Sequence, residues 1–382
     1  MANTIDNVVP KLLAQGLMAL RENVMMPRLV NNSYTTEAAQ LGNVINIPIP
    51  SALAATNVIP SPTPASNQDF SPIVALVTLD FWKESTFQLS DSDMLSVQEG
   101  TIPMQASEAV KSLANAVDDY ILSKHVGIFG LAGVPGTAPF NASLNMAVSA
   151  RQLLAEQLAP ISDRRFVIDP TADANLLLNS NILQFDQRGD QGGIIRGTIG
   201  TKLGFDWFMD QNITTFTPGT GWVTGYSAST VAGVAADVTL NITNTTASGT
   251  VLVGDIFTIN GATQQYAVTA AATASATVPF AISFNPALAS AVATGAALTV
   301  IATAYTVNLA FHRDAFAWAS RPLADASIPG LGVSFQSVSD PVSGITLRLE
   351  VSRQYKQTTF SYDILGGANL IRPELAVILA GQ

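Results

Sequence analysis

The chain has no cysteine, which removes disulfides and thiolate metal sites from consideration. Positive charge is missing from one long stretch: between Lys202 and Arg313 there is neither a lysine nor an arginine. Charged residues of both signs make up only 12% of the 382 residues, about half of the ~25% usual in a soluble domain. No run reaches the ~20 apolar residues needed to cross a membrane as a helix. The first residues, MANTIDNVVPKLLAQGLMALRENVMM, lack a basic leader followed by an apolar run, so no signal peptide is expected and the default setting is a reducing cytoplasm. The Asn-x-Ser/Thr triplets at Asn141, Asn212, Asn241 and Asn244 then read as chance matches or strand chemistry.

What is present bounds the answer further. With 48% apolar residues the chain can bury a sizeable core, and its length suggests about two or three domains at ~150 residues each. A chain so poor in charge is better suited to a surface covered by partners than to life as a lone monomer. Its net charge of −10 excludes condensing nucleic acid with lysine and arginine that displace counterions, although the chain could still surround nucleic acid.

The stretch without positive charge is mostly Ala, Thr, Val and Gly, whereas the sequence on either side is ordinary and carries helical patterns. It reads as a small β module spliced into a host, with strands at 237–243, 255–261, 264–271, 277–284 and 297–305. The flanks GTIGTKLGFDWFMDQNI (197–213) and YTVNLAFHRDAFAWASRPL (305–323) should then be neighbours in space.

In the host, 5–26 has the spacing of an amphipathic helix with Leu12, Leu13 and Leu17 on its stripe. With little chain around it, its apolar face is expected to dock on this subunit or on another. Residues 43–50 and 75–89 alternate as strands, with Val77, Leu79 and Phe81 on one face, around a segment with prolines at 60, 62, 64 and 72. This predicts a long two-stranded arm that needs something to lie on. A long helix follows, with Pro103 in its first turn, an apolar stripe through Ala106, Val110, Leu113, Val117, Tyr120 and Ile121, and an end marked by Gly127 and Gly130. A second helix is expected over 143–158 with Ser143 as N-cap. A buried strand is expected at 164–170, and after it a helix capped by Asp169 with Pro170 at its first position. Residues 186–202 read as a mobile Gly-rich loop. An antiparallel pair is expected over 344–364, and 369–379 is a last strand or short helix.

No constellation of residues points to catalysis. The two histidines, His125 and His312, are far apart in sequence and are expected at the surface. Without cysteine, a zinc site would need both of them plus carboxylates. There is no G-x-S-x-G elbow, and GTIGTK (197–202) has the wrong spacing for a phosphate loop. Asp118 and Asp119 are adjacent and so do not share a helix face; they read as a solvated edge, and Asp91 and Asp93 as part of a turn. Arg188-Gly189-Asp190 is the tripeptide of integrin-binding loops, set in what reads as a plain flexible loop. The expectation is no catalytic, cofactor-binding or metal residues, no cofactor and no enzyme activity.

The order of elements resembles the tailed-bacteriophage major capsid protein family, which has the Hong Kong 97-type fold. Four phrases in order carry the resemblance. AVDDYILSKHVGIFG (116–130) looks like the end of that family's spine helix. GTIGTKLGFDWFMDQNI looks like its glycine-led central strand. NLAFHRDAFAWASRPL (308–323) matches its Phe-His-(Lys/Arg)-x-Ala-Phe-Ala phrase, and LGGANLIRPELAVIL (365–379) resembles its close. The stretch without positive charge is similar in place and kind to the extra β-barrel of certain short-tailed-phage coat proteins, GDIFTING (254–261) most of all.

The resemblance implies an α+β fold with an inserted small all-β barrel or sandwich. Its parts would be an N-terminal arm at 1–41, an extended loop at 42–90, a peripheral domain with the spine helix at 91–142, an axial domain at 143–217 and 306–322 interrupted by an insert at 218–305, and return strands at 323–382. It implies a virion shell subunit, assembled in the host bacterial cytoplasm, whose copies form hexamers and pentamers of an icosahedral head around double-stranded DNA. No membrane is involved, the DNA is enclosed without sequence-specific binding, and a portal protein and a decoration or cement protein are partners of such heads. Only about forty residues precede the arm, so a separate scaffolding protein is expected. The arm tip, 56–72, has no lysine, so no isopeptide cross-linking is expected. An encapsulin-like nanocompartment shell is the runner-up, and a surface adhesin or S-layer protein is a third reading.

Overall fold

The computed structural model describes residues 24–34, 43–50, 72–92, 101–141, 143–179, 199–229, 233–259, 262–323 and 333–382, with positions 13, 14, 16, 18, 55, 182 and 197 besides. The chain divides into two compact units. One holds Met1–Glu22, Asn32–Leu113 and Ala317–Ile371, and the other Asn23–Asn31, Ala114–Phe316 and Arg372–Gln382. Elements are numbered along the chain.

In the first unit the alternating segments form the expected ribbon. Strand β1 (Val44–Ile49) pairs antiparallel with β2 (Ile73–Thr78), Ile45 opposite Val77 and Ile47 opposite Ala75. The expected single strand over 75–89 is in fact two. The chain breaks at Leu79–Asp80, and β3 (Phe81–Ser90) pairs with β21 (Gln357–Leu370) instead. The physical cause is a close crossing: a Cβ on Gly367 would stand 2.1 Å from the Thr78 carbonyl oxygen, so only glycine lets β21 pass there. Val77, Leu79 and Phe81 are buried as the alternation predicts.

The sheet of this unit runs β3-β21-β20-β19, with β20 at Thr346–Gln354 and β19 at Val333–Ser339; β18 (Phe316–Ser320) joins β21 further along. Leu347, Leu349, Val351, Phe360, Tyr362 and Ile364 are buried, as expected for strands with one face on a core. Of the described residues of the leading helix, two pack on this same chain, whereas Ala14 and Met18 are exposed. Leu13 is buried, and a Cβ on Gly16 would touch Tyr362, Val110 and Leu347. Of the rest of the predicted helix 5–26, residues 24 and 25 are not helical and Met26 begins a separate short helix, while the others lie outside the described residues.

The second unit is built on a sheet of order β4-β22-β17-β5-β7-β6, with β8 also pairing β17. Its strands are β4 (Gly130–Ala132), β5 (Arg164–Ile168), β6 (Thr201–Lys202), β7 (Phe205–Met209), β8 (Thr215–Phe216), β17 (Tyr305–His312) and β22 (Ala376–Ala380). All eight residues of β17 are buried, the signature of a central strand covered on both faces. Its one amide is satisfied: Asn308 accepts the Asp169 N–H at 2.6 Å and donates to Leu379 O at 3.4 Å. The predicted flanks meet where the chain leaves and re-enters, with Phe216 opposite Tyr305 and Thr215 opposite Thr306.

Helix α2 (Thr101–Leu122) follows the short α1 (Met26–Leu29) in the chain and passes into a 3-10 turn at Ser123–Gly127. Its predicted stripe is buried except for the half-buried Tyr120. Helix α3 spans Asn145–Glu156, shorter than expected, and Leu144 rather than Ser143 sits at its N-cap, with no side-chain bond. Helix α4 (Pro170–Leu178) is capped as predicted, Asp169 accepting from Thr171 N–H and Ala172 N–H.

Between β8 and β17 lies a six-stranded sheet of order β16-β12-β13-β15-β10-β9. These strands are β9 (Ser227–Ala228), β10 (Thr239–Thr243), β12 (Ile256–Ile259), β13 (Gln265–Val268), β15 (Phe280–Asn285) and β16 (Leu298–Val300). Its two ends also meet, through the Ser227–Ala297 bridge and the Leu298 N–H to Tyr226 O bond of 2.8 Å. The sheet therefore closes on itself, which removes the exposed edges of an open one. All five strands read from the sequence are present. Three further short strands were not read from the sequence: β9, β11 (Gly249–Val251) and β14 (Ala272–Ala274).

Across β20 and β21 a buried ion pair tests the packing of the first unit. Arg348 grips Asp363 with Nε–Oδ1 at 3.0 Å and Nη2–Oδ2 at 2.5 Å. Arg353 reaches Asp91 at 2.8 Å, but both of those side chains are about half exposed. Asp363→Ala should cost about 3–5 kcal/mol, because it removes the two-point carboxylate partner of a buried guanidinium. Asp91→Ala should cost about 1 kcal/mol or less. Denaturant midpoints of the two variants check the contrast.

Candidate assembly surface

The titratable side chains singled out in the sequence occupy different places from those expected. His125 and His312 are both buried, not at the surface. His125 Nδ1 lies 2.9 Å from Leu122 O, and its ring stands edge-on to Phe216 at 5.7 Å. His312 Nδ1 accepts the Asp314 N–H at 3.2 Å. Burial lowers the pKa of each. Both histidines sit on stretches rich in apolar neighbours, SKHVGIF and LAFH, which was the available signal. Among the described residues no group of three or more histidine, aspartate or glutamate side chains is placed to hold a metal. Asp93, Arg188-Gly189-Asp190 and the arm tip at 56–71 lie outside the described residues.

Asp118 corrects the expectation of a solvated edge. It is buried, while Asp119 is exposed. Asp118 accepts the N–H groups of Met25 at 3.1 Å and Met26 at 3.0 Å, the start of α1. Burial, and then the charge of Asp210, push its pKa up to about 7; the two N–H bonds and Arg28 oppose this. Asp210 is buried as well and shifted upward by burial. The signal was legible in the helix itself: Asp118 shares a face with Ala114, Ile121 and Leu122, all buried.

A second carboxylate, unremarked in the sequence, sits at the root of the closed sheet. Asp255 is wholly buried, accepts from Gly219 N–H and from Leu252 N–H at 2.7 Å, and has its pKa raised to about 6 by burial. Nearby, Gln265 acts as a one-residue strand. Its Oε1 accepts the Leu131 N–H at 2.6 Å and its Nε2 donates to Leu131 O at 2.8 Å, so the closed sheet is stitched to the edge strand β4.

These polar groups hold the subunit together; the surface that could hold something else is apolar. The ribbon β1–β2 has two faces. Ile45, Ile47 and Val77 are buried against Ala317, Ala319 and Ile371 of the same chain. On the other face Val44, Val74 and Leu76 are exposed; Ile73, on the inner face at the last pair of the ribbon, is 68% exposed because that end lies beyond the cover. The arm, expected to need something to lie on, finds it partly within its own chain: one face is covered by that chain and one is left open. A row of exposed branched apolar side chains on a ribbon is a candidate interaction surface.

No family model matches the sequence, and no curated protein does. Solved structures do. Over 93% of this chain and 90% of the other, a structure described as Mycobacterium phage Che8 superposes with a TM-score of 0.54 at 16% identity. The capsid of Cyanophage P-SCSP1u superposes over 94% of this chain and 88% of the other, with a TM-score of 0.50 at 13% identity. The chain has the tailed-phage capsid fold, α+β and strand-rich, as the order of its elements implied.

The Asp118 geometry sets a pH dependence. The folded state holds this proton more tightly than the unfolded chain, whose ordinary value is 3.8. The stabilisation is therefore complete below about pH 4 and is lost as pH rises through about 7. Unfolding midpoints of the wild type should fall between pH 5 and 8 from this source, and Asp118→Asn should give a shallower slope over the same range.

Proposed function

We propose that this chain is the major capsid protein of a tailed double-stranded DNA bacteriophage, self-assembling into the icosahedral head that encloses the genome. The open apolar face of the β1–β2 ribbon carries this reading. On a chain with a capsid fold and 12% charged residues, a ribbon covered on one side by its own chain and bare on the other is suited to lie on a neighbouring copy. The acidic net charge of −10 suits a container filled by a motor rather than by attraction for DNA. The chain's place is then the virion, and a separate scaffolding protein, a portal and a decoration protein are its proposed companions.

Residues 218–305 would be a module inserted into an axial domain. Its self-contained core supports this, since every member of the cluster lies between Trp222 and Val300. The module would stabilise the subunit or bridge neighbouring capsomers. Excising 218–305 should yield shells of altered size or lower heat resistance; unchanged shells would refute the bridging or stabilising role.

Co-expression with the companion assembly proteins, followed by electron microscopy, tests the main proposal. Wild-type chain should close into hollow particles with a portal vertex. Val74→Asp with Leu76→Asp should leave the subunit's melting temperature within about 2 °C, because both side chains are exposed, yet abolish particles. A wild-type chain that stays monomeric beside its assembly partners would overturn the reading.

A further inference from the structure

An unpaired strand edge is a template for another strand, and folded chains blunt it with charge, proline, shortness or cover. The described strands of this chain show these devices in turn. Strand β1 carries Pro48, and β3 carries Lys83 and Glu84. On β2, Asn369 Nδ2 donates to Leu76 O at 2.7 Å. Every residue of β18 is buried. In the second unit Gln265 stitches the edge of β4, while β6, β8, β11 and β14 are only two or three residues long. The six-stranded sheet closes on itself.

Of the described edges, β19 keeps none of these devices. Its sequence over Val333–Ser339 is Val-Ser-Phe-Gln-Ser-Val-Ser, without a charge, a proline or a glycine. All seven residues pair with β20 on one side. Among the described residues no strand or side chain bonds to the backbone of the other side. The strand is also held in place. The Arg348 guanidinium lies over the Phe335 ring at 5.3 Å, and Asp363 fixes Arg348 in turn. A row of N–H and C=O groups fixed in this way needs little further ordering before it pairs.

The residue order says which strand fits. One face of this sheet lies on a core, with Leu347, Leu349 and Val351 buried on β20. An added strand must therefore match faces, and a slip of one residue would turn its side chains to the wrong side. A second β19, turned end for end about Gln336, meets this condition. Val333 then stands opposite Ser339, Ser334 opposite Val338 and Phe335 opposite Ser337, each pair on one face. This register uses all seven residues, and a slip of two would shorten the ladder. Gln336 meets its own counterpart, and an amide that both donates and accepts is its own complement. Because the strand is uncharged, self-pairing sets no like charges opposite each other.

We propose that β19 is an assembly edge: the β19 strands of two copies pair antiparallel about a two-fold axis through Gln336, joining their β3-β21-β20-β19 sheets edge to edge. This rests on the reading of a self-assembling chain, of which it names one contact.

The chain has no cysteine, so introduced thiols report neighbours cleanly. Under mild oxidation Gln336→Cys should give disulfide-linked dimers, because opposed residues of an antiparallel pair stand within disulfide reach. Ser334→Cys should not link to itself, since the two-fold sets its counterpart four residues along, but mixed with Val338→Cys it should link. Absence of linkage in Gln336→Cys, or equal linkage in Ser334→Cys, overturns the pairing.

Charge gives a second arm. Gln336→Lys and Gln336→Glu should each weaken subunit association about tenfold, because like charges then stand opposite each other, and an equimolar mixture of the two should restore it. Unchanged association overturns the proposal. So does weakening without restoration, in variants whose separate subunits melt as the wild type does; that result would give the edge to a strand of some other chain. Both arms are read on subunits in solution. Linked dimers without closed particles would sink the capsid reading and keep the pairing. Particles in which Gln336→Cys never links would do the reverse.

Discussion

The second unit depends on one closure: the pairing of Phe216 with Tyr305 and of Thr215 with Thr306. The chain leaves its sheet after β8 and must return as β17, the strand that lies between β22 and β5. Without that return β4–β22 and β5–β7 would be two separate pairs, each with a bare edge. Closing a loop this long is entropically unfavourable, although the cost grows only slowly with length. It is offset because the excursion builds a core of its own, with Trp222, Tyr226, Phe257, Tyr266 and Phe284 buried together. The loop's ends are then held by a folded body rather than by a floppy chain.

The buried polar groups cluster where elements must be joined. Asp255 gathers the N–H groups of Gly219 and Leu252 at the root of the closed sheet. Gln265 supplies a missing ladder rung to Leu131, and Asp118 ties down the segment that begins α1. Each is a place where backbone donors or acceptors would otherwise be buried without partners, which costs more than a hydrogen bond gains. A buried carboxylate is an expensive way to meet that need, and the upward shifts at Asp118 and Asp255 express the cost. What it provides is geometry: one side chain accepting two N–H groups fixes the approach of a loop more tightly than apolar contact does.

The sequence was legible where periodicity is long. The ribbon, α2, the β20–β21 pair and the five longer strands of the closed sheet follow from alternation or helical spacing. It was illegible where a single contact overrides the period. The alternation of Ala75, Val77, Leu79 and Phe81 runs straight through the break, yet Gly367 crossing at Thr78 splits the segment between two sheets. Two adjacent aspartates suggest a solvated edge, but only Asp119 is exposed; the face of the helix that carries Asp118 is apolar. Ser143 has the chemistry of a cap but stands one residue too early. The candidate surface was half legible: the ribbon could be read, but not that its inner face would be covered by Ala317, Ala319 and Ile371.

Low charge and exposed apolar surface are two aspects of one design. A subunit meant to stay alone would place lysine or glutamate at Val74, Leu76 and Ile73, where the backbone asks for nothing in particular and solvent would reward charge. A subunit meant to be covered gains from leaving them apolar, because each side chain removed from water on contact contributes about 25 cal/mol per Å², while a charge at the same place would have to be desolvated. Fold stability and surface composition are thereby separable. Within one chain, one apolar cluster runs from Ile45 to Ile371 in the first unit and another from Trp222 to Val300 in the second. The bare side chains of the ribbon are exposed and so add little to folding, and the proposed contact between copies would account for their composition.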